Sequence, residues 1–186
     1  AHSMGFIGEN GRGVAEEQGV LDDVDFVIGT FSKSVGTVGG FCVSNHPKFE
    51  IMRLVCRPYV FTASLPPAVV ACSATSIRKL MHNSNKRAHL WENSKTLHKG
   101  LRDLGFQLGT PEAQSAIIAV MLYDAKLAQD FAARLLDEGI YVTGFSYPVV
   151  PKGQARVRVQ ISAAHEKEHL DKAIAAFTKV GKEMGI

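Results

Sequence analysis

The sequence predicts an α/β fold, in which the end of a larger domain is followed by a small α/β domain. Short apolar runs alternate with amphipathic stretches along the chain, a pattern typical of packed layers of sheet and helix. A long helical stretch from about Asn85 to Leu104, with leucines at helical spacing, separates the two parts. The composition, 46% hydrophobic and 21% charged over 186 residues, is ordinary for such a fold. We therefore expect one domain over residues 1–84, and a connecting helix with a second domain over residues 85–186.

The first part opens with a glycine-rich loop from Gly5 to Gly19, whose glycines suit tight backbone turns. The apolar run Val24–Gly29 predicts a short buried strand, and Gly39–Ser44 predicts the next strand. Three further elements are expected: a helix from about Pro47 to Cys56, a brief strand from Tyr59 to Thr62, and an apolar helix from Pro66 to Met81.

The second part has the alternating pattern of a small α/β domain. Its long first helix is expected to end at Gly105, since glycine commonly terminates helices. The following elements are expected to be a strand (Ser115–Leu122), a helix (Ala125–Glu138), a strand (Tyr141–Gly144), an alternating strand (Ala155–Ser162) and a last helix (Glu166–Met184).

Charge, hydropathy and cysteine content exclude several classes of protein. The net charge of +3 is mild, and the basic residues are spread along predicted helices rather than gathered into a nucleic-acid-binding patch. The chain has no run of about 18 apolar residues, which excludes a transmembrane helix. Cys42, Cys56 and Cys72 are odd in number and lack metal-ligand spacing. We therefore expect no metal site, and buried, reduced thiols in a cytoplasmic protein.

One stretch concentrates reactive groups. Thr30-Phe31-Ser32-Lys33 follows directly on the predicted strand Val24–Gly29. Ligand sites in open α/β sheets lie beyond the carboxyl ends of strands, where such side chains converge. A lysine amine that loses water there becomes nucleophilic toward an aldehyde. The hydroxyls of Thr30 and Ser32 could donate hydrogen bonds to a phosphate. On this pattern alone, an ordinary surface turn is the alternative to a catalytic lysine.

Three motifs together resemble one family. They are Ala1-His2-Ser3-Met4-Gly5, Gly29-Thr30-Phe31-Ser32-Lys33-Ser34 and Arg57-Pro58-Tyr59-Val60-Phe61-Thr62-Ala63-Ser64. In this order they resemble the α-oxoamine synthases, and the resemblance covers essentially the whole chain. The family implies an aspartate-aminotransferase-like fold, pyridoxal 5'-phosphate as cofactor, and the condensation of an amino acid with an acyl-CoA.

The same resemblance implies that the chain is a C-terminal fragment. The residue before Ala1 is expected to be the glutamate of an Asp-Glu-Ala-His pattern, whose aspartate pairs with the pyridine nitrogen. We therefore expect the 186 residues by themselves to bind the cofactor weakly or not at all, and to be inactive.

The resemblance also implies a role for each matching residue. Lys33 matches the lysine that carries the cofactor as a Schiff base, and His2 matches the histidine that hydrogen-bonds the phenolic oxygen of the pyridine ring. Thr30 and Ser32 match groups that contact the cofactor phosphate. The run Thr62-Ala63 matches positions that reach the phosphate of the neighbouring subunit, which implies a homodimer with shared active sites.

An arginine is expected to hold the substrate carboxylate. Alternation over Ala155–Ser162 puts Arg156 and Arg158 on the same strand face, so spacing leaves both open. The family register selects Arg158, whose planar guanidinium can hold a carboxylate by two parallel hydrogen bonds. The Pro148–Pro151 loop resembles a mobile segment near the substrate entrance, and nearby His165 is expected to start a helix rather than to catalyse.

The two halves of the chain indicate different substrates. Residues 1–105 look most like serine palmitoyltransferases, chiefly through Gly29–Gly40 and Asn45–Glu50, whereas residues 115–186 look more like 2-amino-3-ketobutyrate CoA ligases. The expected activity is a serine palmitoyltransferase-like condensation that yields an amino ketone. The alternatives are glycine C-acetyltransferase (the ketobutyrate ligase) or 8-amino-7-oxononanoate synthase activity. An aminotransferase on the same scaffold, or a non-catalytic fragment that only dimerises, are the other hypotheses.

Overall fold

The structure is a computed structural model that describes every residue from Ala1 to Ile186. The chain divides into two compact units, unit 1 over Ala1–Arg87 and unit 2 over Ala88–Ile186. No helix in either unit is both long enough and apolar enough to cross a membrane. Each unit combines helices with an antiparallel sheet.

Unit 1 contains a two-stranded sheet and one long helix. β1 (Val27–Thr30) pairs with β2 (Gly40–Val43) in a register that sets Thr30 opposite Gly40. Its helices are α1 (Val14–Glu17), α2 (Met52–Val55), α3 (Arg57–Val60) and α4 (Pro67–His82), with 3-10 turns at Leu21–Asp23 and Phe49–Ile51. The predicted second strand and the predicted apolar helix are confirmed as β2 and α4.

The predicted strand Tyr59–Thr62 is wrong, because this segment begins in a helix and ends in a turn. Val60 N–H donates to the Cys56 carbonyl at 2.9 Å, and Phe61 N–H donates to the Arg57 carbonyl at 3.0 Å. Pro58 lies in the first turn of α3, where its missing N–H costs nothing. A short apolar run does not distinguish helix from strand by its residue types, and here the proline favours the helix.

The prediction that the first strand is buried is also wrong for this chain. Ile28 in β1 is 76% exposed, and Val27 is exposed as well. An apolar run of this kind is typical of strands covered on both faces. In this chain β1 has only β2 as a sheet neighbour, so no second layer covers it.

Unit 2 contains a three-stranded antiparallel sheet in the order β3-β5-β4. Its strands are β3 (Ile117–Tyr123), β4 (Thr143–Phe145) and β5 (Ala155–Gln160), and its helices are α5 (Ser84–Asp103, whose first turn lies in unit 1), α6 (Ala125–Asp137) and α7 (Lys167–Met184). The central strand β5 sets Arg158 opposite Ala119 on one side and opposite Thr143 on the other. All six predicted elements are confirmed, with ends displaced by one to a few residues.

Three phenylalanines form the centre of the buried core of unit 2. Phe106, Phe131 and Phe177 meet edge to face, with ring centroids 5.6 to 5.9 Å apart. Such contacts are favourable because the positive edge of one ring meets the negative face of the next. Alternation along β5 buries its valines in the same core and leaves Arg156 and Arg158 half-buried on the opposite face.

Helix α5 buries polar residues as well as leucines. Ser94 Oγ donates to the Ser115 carbonyl at 2.6 Å, and Asn93 Nδ2 donates to the His165 carbonyl at 2.7 Å. The Nε2 of buried His98 lies 3.1 Å from the Thr110 carbonyl. Each of these buried polar groups has a backbone hydrogen-bond partner, so its burial leaves no polar atom unsatisfied. The hydrophobic period of α5 alone gave no sign of these contacts.

Candidate active site

Lys33 lies in a tight loop that joins β1 to β2. Phe31 N–H donates to the Gly39 carbonyl at 2.9 Å, and Thr37 N–H donates to the Phe31 carbonyl at 2.8 Å, which closes the loop at its base. Within the loop, Gly36 N–H donates to the Lys33 carbonyl at 3.0 Å. Gly36 has a φ of 73°, a left-handed conformation that glycine adopts without strain. The loop therefore presents Lys33 just beyond the carboxyl end of β1.

Thr30 is the internal hydrogen-bonding centre of this loop. Its Oγ1 donates to the Gly39 carbonyl at 3.1 Å and accepts from Ser32 N–H at 3.3 Å. Since the single hydroxyl proton of Thr30 is used on Gly39, Ser32 is the donor in the 2.8 Å contact between the two hydroxyls. Thr30 therefore shapes the loop, whereas the exposed Ser32 hydroxyl can turn toward a ligand.

The groups on this loop match the chemistry of the cofactor that the sequence resemblance implies. An amine suited to an aldehyde and two hydroxyls suited to a phosphate lie within Thr30–Lys33. Lys33 is exposed, so the loss of water expected for its amine is not seen in this structure. No group of His, Cys, Asp and Glu side chains is arranged to hold a metal ion.

His2 lies at the start of a folded loop that contacts the residue after Lys33. Gly5 N–H donates to the Gly11 carbonyl at 2.7 Å, which closes the loop, and Gly5 has a φ of 84°. A Cβ placed on Gly5 would lie 3.4 Å from Ser34 Cβ and 3.3 Å from Leu80 Cδ1. The His2 segment and the Lys33 loop are therefore in close approach, and His2 itself is exposed.

Glu16 holds the middle of the same glycine-rich loop. Its carboxylate accepts hydrogen bonds from Asn10 N–H, from Asn10 Nδ2 at 2.9 Å and from Arg12 N–H at 3.0 Å. The hydrogen bond from the Arg12 backbone favours the charged form and lowers the pKa of Glu16. The ionised form of Glu16 therefore stabilises this loop, and the sequence pattern did not single the residue out.

Thr62 and Ala63 lie in the turn between α3 and α4, with both residues exposed. Leu65, at the end of this turn, packs on the Lys33 loop. A Cβ placed on Gly39 would lie 2.7 Å from Leu65 Cδ2, and Gly39 has a φ of 94°. Within unit 1, the turn that carries Thr62 is therefore fixed against the base of the loop that carries Lys33. The His2 loop and the Thr62 turn, two segments far apart in sequence, therefore both contact the Lys33 loop.

Arg158 and Arg156 differ in how their guanidinium groups are held. Arg156 Nε donates to the Gln154 carbonyl at 3.0 Å, and its Nη2 donates to Gln154 Oε1 at 3.1 Å. Arg158 instead places its Cζ over the Phe145 ring, 4.7 Å from the ring centroid. A contact with a ring face uses none of the five guanidinium N–H donors, so they remain available to a carboxylate.

Gly29→Ala is expected to destabilise the strand that carries the site. A Cβ on Gly29 would lie 2.4 Å from Phe41 Cζ, so the Phe41 ring would have to leave its position beside Phe31, 5.4 Å between centroids. Overpacking of this kind costs about 1–3 kcal/mol in the free energy of unfolding. Urea unfolding followed by circular dichroism measures this cost.

The matched control places the same change in a Phe41→Ala background. Without the ring, Gly29→Ala is expected to cost less than about 0.5 kcal/mol, because the two positions are coupled only through that clash. An equal cost in both backgrounds would show that the Phe41 ring is not what requires glycine at position 29.

The chain matches one family model and several curated proteins along its length. The model for aminotransferase class I and II matches residues 1–177. Serine palmitoyltransferase of Sphingomonas paucimobilis is 54% identical over 186 residues, which are 100% of this chain and 44% of that protein. The 2-amino-3-ketobutyrate coenzyme A ligase of Escherichia coli K12 is 46% identical over 187 residues, 100% of this chain and 46% of the ligase. The 8-amino-7-oxononanoate synthase of Petrotoga mobilis is 40% identical over 185 residues, which cover 100% of this chain and 47% of the synthase.

Solved structures also match this chain over its whole length. Serine palmitoyltransferase of Sphingomonas wittichii is 61% identical with a TM-score of 0.96, covering 100% of this chain and 46% of that one. A high-resolution structure of SPT with PLP is 55% identical with a TM-score of 0.97, and the match covers 100% of this chain and 46% of that one. The prediction of an aspartate-aminotransferase-like fold is therefore confirmed. The chain spans about half the length of the relatives it matches.

Proposed function

This chain belongs to the class I and II aminotransferase family, and we propose that the protein carrying it is a pyridoxal-phosphate-dependent acyltransferase. The resemblance to the α-oxoamine synthases is confirmed, since its three named relatives are all of that family. We propose that the protein condenses an amino acid with an acyl-CoA to an amino ketone, as in serine palmitoyltransferases. Relatives of that name share 54% and 61% of residues with this chain, against 46% for the ligase.

The observation that carries this proposal is the Lys33 loop. It offers one exposed amine beside two hydroxyls that lie 2.8 Å apart, at the carboxyl end of a strand. An amine next to phosphate-binding hydroxyls is what a cofactor with both an aldehyde and a phosphate requires. The glycine-rich His2 loop contacts the same place through Gly5 and Ser34.

Each residue of the loop then has a distinct task. Pyridoxal phosphate, when bound, supplies an electron-withdrawing ring that makes the Cα proton of an attached amino acid acidic. Lys33 would hold the cofactor through its amine, and as a free amine it would move the Cα proton of the substrate. Ser32 would donate to the phosphate, and Thr30, which holds the loop in shape, would offer the second hydroxyl. His2 would donate to the ring oxygen.

We propose further that the active protein is a homodimer in which Thr62 and Ala63 reach the cofactor phosphate of the second copy. Near these residues Leu54 is 78% exposed and Phe61 is 79% exposed. Large apolar side chains exposed in one short segment are typical of surfaces that further polypeptide covers, and a second copy would supply such cover. We propose a cytoplasmic location for the protein and an amino acid and an acyl-CoA as its substrates. The three cysteines are free, as this location requires, but the expectation that they are buried is wrong, since Cys42 and Cys72 are exposed.

Product analysis on the intact protein tests the proposed reaction. Serine with palmitoyl-CoA, and glycine with acetyl-CoA, are each incubated with the protein, and free CoA thiol and products are measured. We expect thiol release and an amino ketone from serine and palmitoyl-CoA. Thiol release with glycine and acetyl-CoA alone would indicate the ligase, keto-acid formation without thiol an aminotransferase, and neither product a non-catalytic protein.

Arg158→Ala is expected to weaken binding of the amino acid. We propose that Arg158 holds the substrate carboxylate, and a hydrogen bond to a charged group contributes about 1.5–3 kcal/mol. The KM for the amino acid should therefore rise about 10- to 100-fold, with the KM for acyl-CoA much less affected. Steady-state kinetics with each substrate varied in turn measure both values.

Arg156→Ala is the matched control, because the Arg156 side chain is engaged by Gln154 and lies on the same face of the same strand. It is expected to change the KM for the amino acid by less than about threefold. A larger effect of Arg156→Ala than of Arg158→Ala would assign the carboxylate to Arg156 instead.

A further inference from the structure

Within the residues of this chain, the strands on either side of the Lys33 loop give it few buried contacts. β1 and β2 pair with each other alone, and Ile28 in β1 is 76% exposed. Within the loop from Phe31 to Thr37, Val35 is the single buried residue. A segment with so few buried contacts opens easily, unless something else fixes it to the rest of unit 1.

A chain of hydroxyl groups fixes the loop to α4. Thr37 Oγ1 lies 2.6 Å from Ser73 Oγ, and Ser73 Oγ donates to the Val69 carbonyl at 2.9 Å. Since Ser73 has one hydroxyl proton and uses it on Val69, Thr37 is the donor to Ser73. Ser73 is 3% exposed and is the one buried residue of α4, so water competes little for these bonds.

We infer that Thr37 and Ser73 are positioning residues for the Lys33 amine, an inference that rests on the proposed function. Attaching an aldehyde and later moving a Cα proton both require Lys33 Nζ within about 3–3.5 Å of the reacting carbon. Thr37 closes the loop through its N–H on Phe31 and anchors it through its hydroxyl on Ser73. The anchor limits the positions of the backbone from which the Lys33 side chain extends.

The test compares Thr37→Val, which keeps the shape and removes the hydroxyl, with Thr37→Ser, which keeps the hydroxyl. The intact protein is stripped of cofactor, and the rate of its attachment after pyridoxal phosphate is added is followed by the visible absorbance of the lysine-bound form. Thr37→Val is expected to slow attachment about 10- to 100-fold, the range for a displacement of up to about 1 Å. Thr37→Ser is expected to attach cofactor at close to the original rate.

Two further measurements separate positioning from simple stabilisation. In the cofactor-free protein, amide hydrogen exchange in the loop from Phe31 to Thr37 should speed up in Thr37→Val and not in Thr37→Ser. With cofactor loaded, kcat should fall while the KM for the amino acid stays within about twofold, as expected when the reacting group rather than the substrate site is disturbed.

Ser73→Ala provides the second variant, since it removes the acceptor from the same bond. It should slow attachment as Thr37→Val does, and the double variant should be no slower than either single one, because the two residues act as a unit. Equal rates for Thr37→Val and Thr37→Ser, or additive effects in the double variant, would overturn the inference. If the original protein attaches no cofactor at Lys33, the proposed function fails; if it does and Thr37→Val does too at the same rate, only the anchor fails.

Discussion

Lys33→Ala is expected to abolish both covalent cofactor attachment and turnover. In the proposed function Lys33 both attaches the cofactor and moves the Cα proton, and general acid–base catalysis alone contributes about 10²- to 10⁴-fold. Activity of the intact protein should therefore fall about a thousandfold or more. The visible absorbance of the lysine-bound cofactor should vanish, and after borohydride reduction, mass spectrometry should find no cofactor on the peptide that spans position 33.

Lys48→Ala is the control for this change, because Lys48 is another exposed lysine of unit 1. It should leave absorbance, labelling and turnover close to their original values. Cofactor that remains covalently bound in Lys33→Ala, and maps to a different lysine, would remove Lys33 from the site and with it the observation that carries the proposed function.

Phe177→Ala is expected to produce a large loss of stability in unit 2. Phe177 is fully buried and meets Phe106 and Phe131 edge to face, with both centroids 5.6 Å away. Truncating a buried phenylalanine removes its transfer free energy and leaves a cavity, at a cost of about 3–5 kcal/mol. A urea titration followed by circular dichroism should show the unfolding midpoint shifted to much lower urea.

Tyr141→Ala is the matched control, since Tyr141 is an aromatic residue of unit 2 that is 82% exposed. Its removal should change the free energy of unfolding by no more than about 0.5 kcal/mol. Similar midpoints for the Phe177 and Tyr141 variants would mean that the three-phenylalanine cluster does not dominate the stability of unit 2.

Most elements of unit 2 could be predicted because their hydrophobic periods extend over many residues and are bounded by turn or cap residues. Along β5 the alternation is strict, and α7 repeats Leu170 and Phe177 on its buried stripe. The short element after Cys56 was predicted wrongly because four residues are too few to show a helical or a strand period. Pro58, which is tolerated in the first turn of a helix, favours the helix that is observed. Burial of β1 was predicted from its composition, but burial depends on a covering layer that composition does not supply.

From spacing alone, without the family resemblance, the candidate site could be predicted only where its residues are close in sequence. Thr30, Ser32 and Lys33 form one local loop, so their spacing was informative. The bond between Thr37 and Ser73 joins residues 36 positions apart and has no local signal. The contact of Leu65 with Gly39 likewise joins residues distant in sequence and has no local signal.

The contact of Leu65 with Gly39 also limits how this protein can vary. Gly39 combines a left-handed backbone, with a φ of 94°, and a close neighbour, so any side chain meets two independent obstacles. A compensating change at Leu65 could relieve the crowding, but it would leave the backbone strain. A single substitution of Gly39 is therefore opposed both by backbone strain and by the clash with Leu65. At Gly36, where nothing lies within 4 Å of a Cβ, only the backbone conformation disfavours a substitution. Among random variants of this gene, tolerance should differ sharply between these two neighbouring glycines.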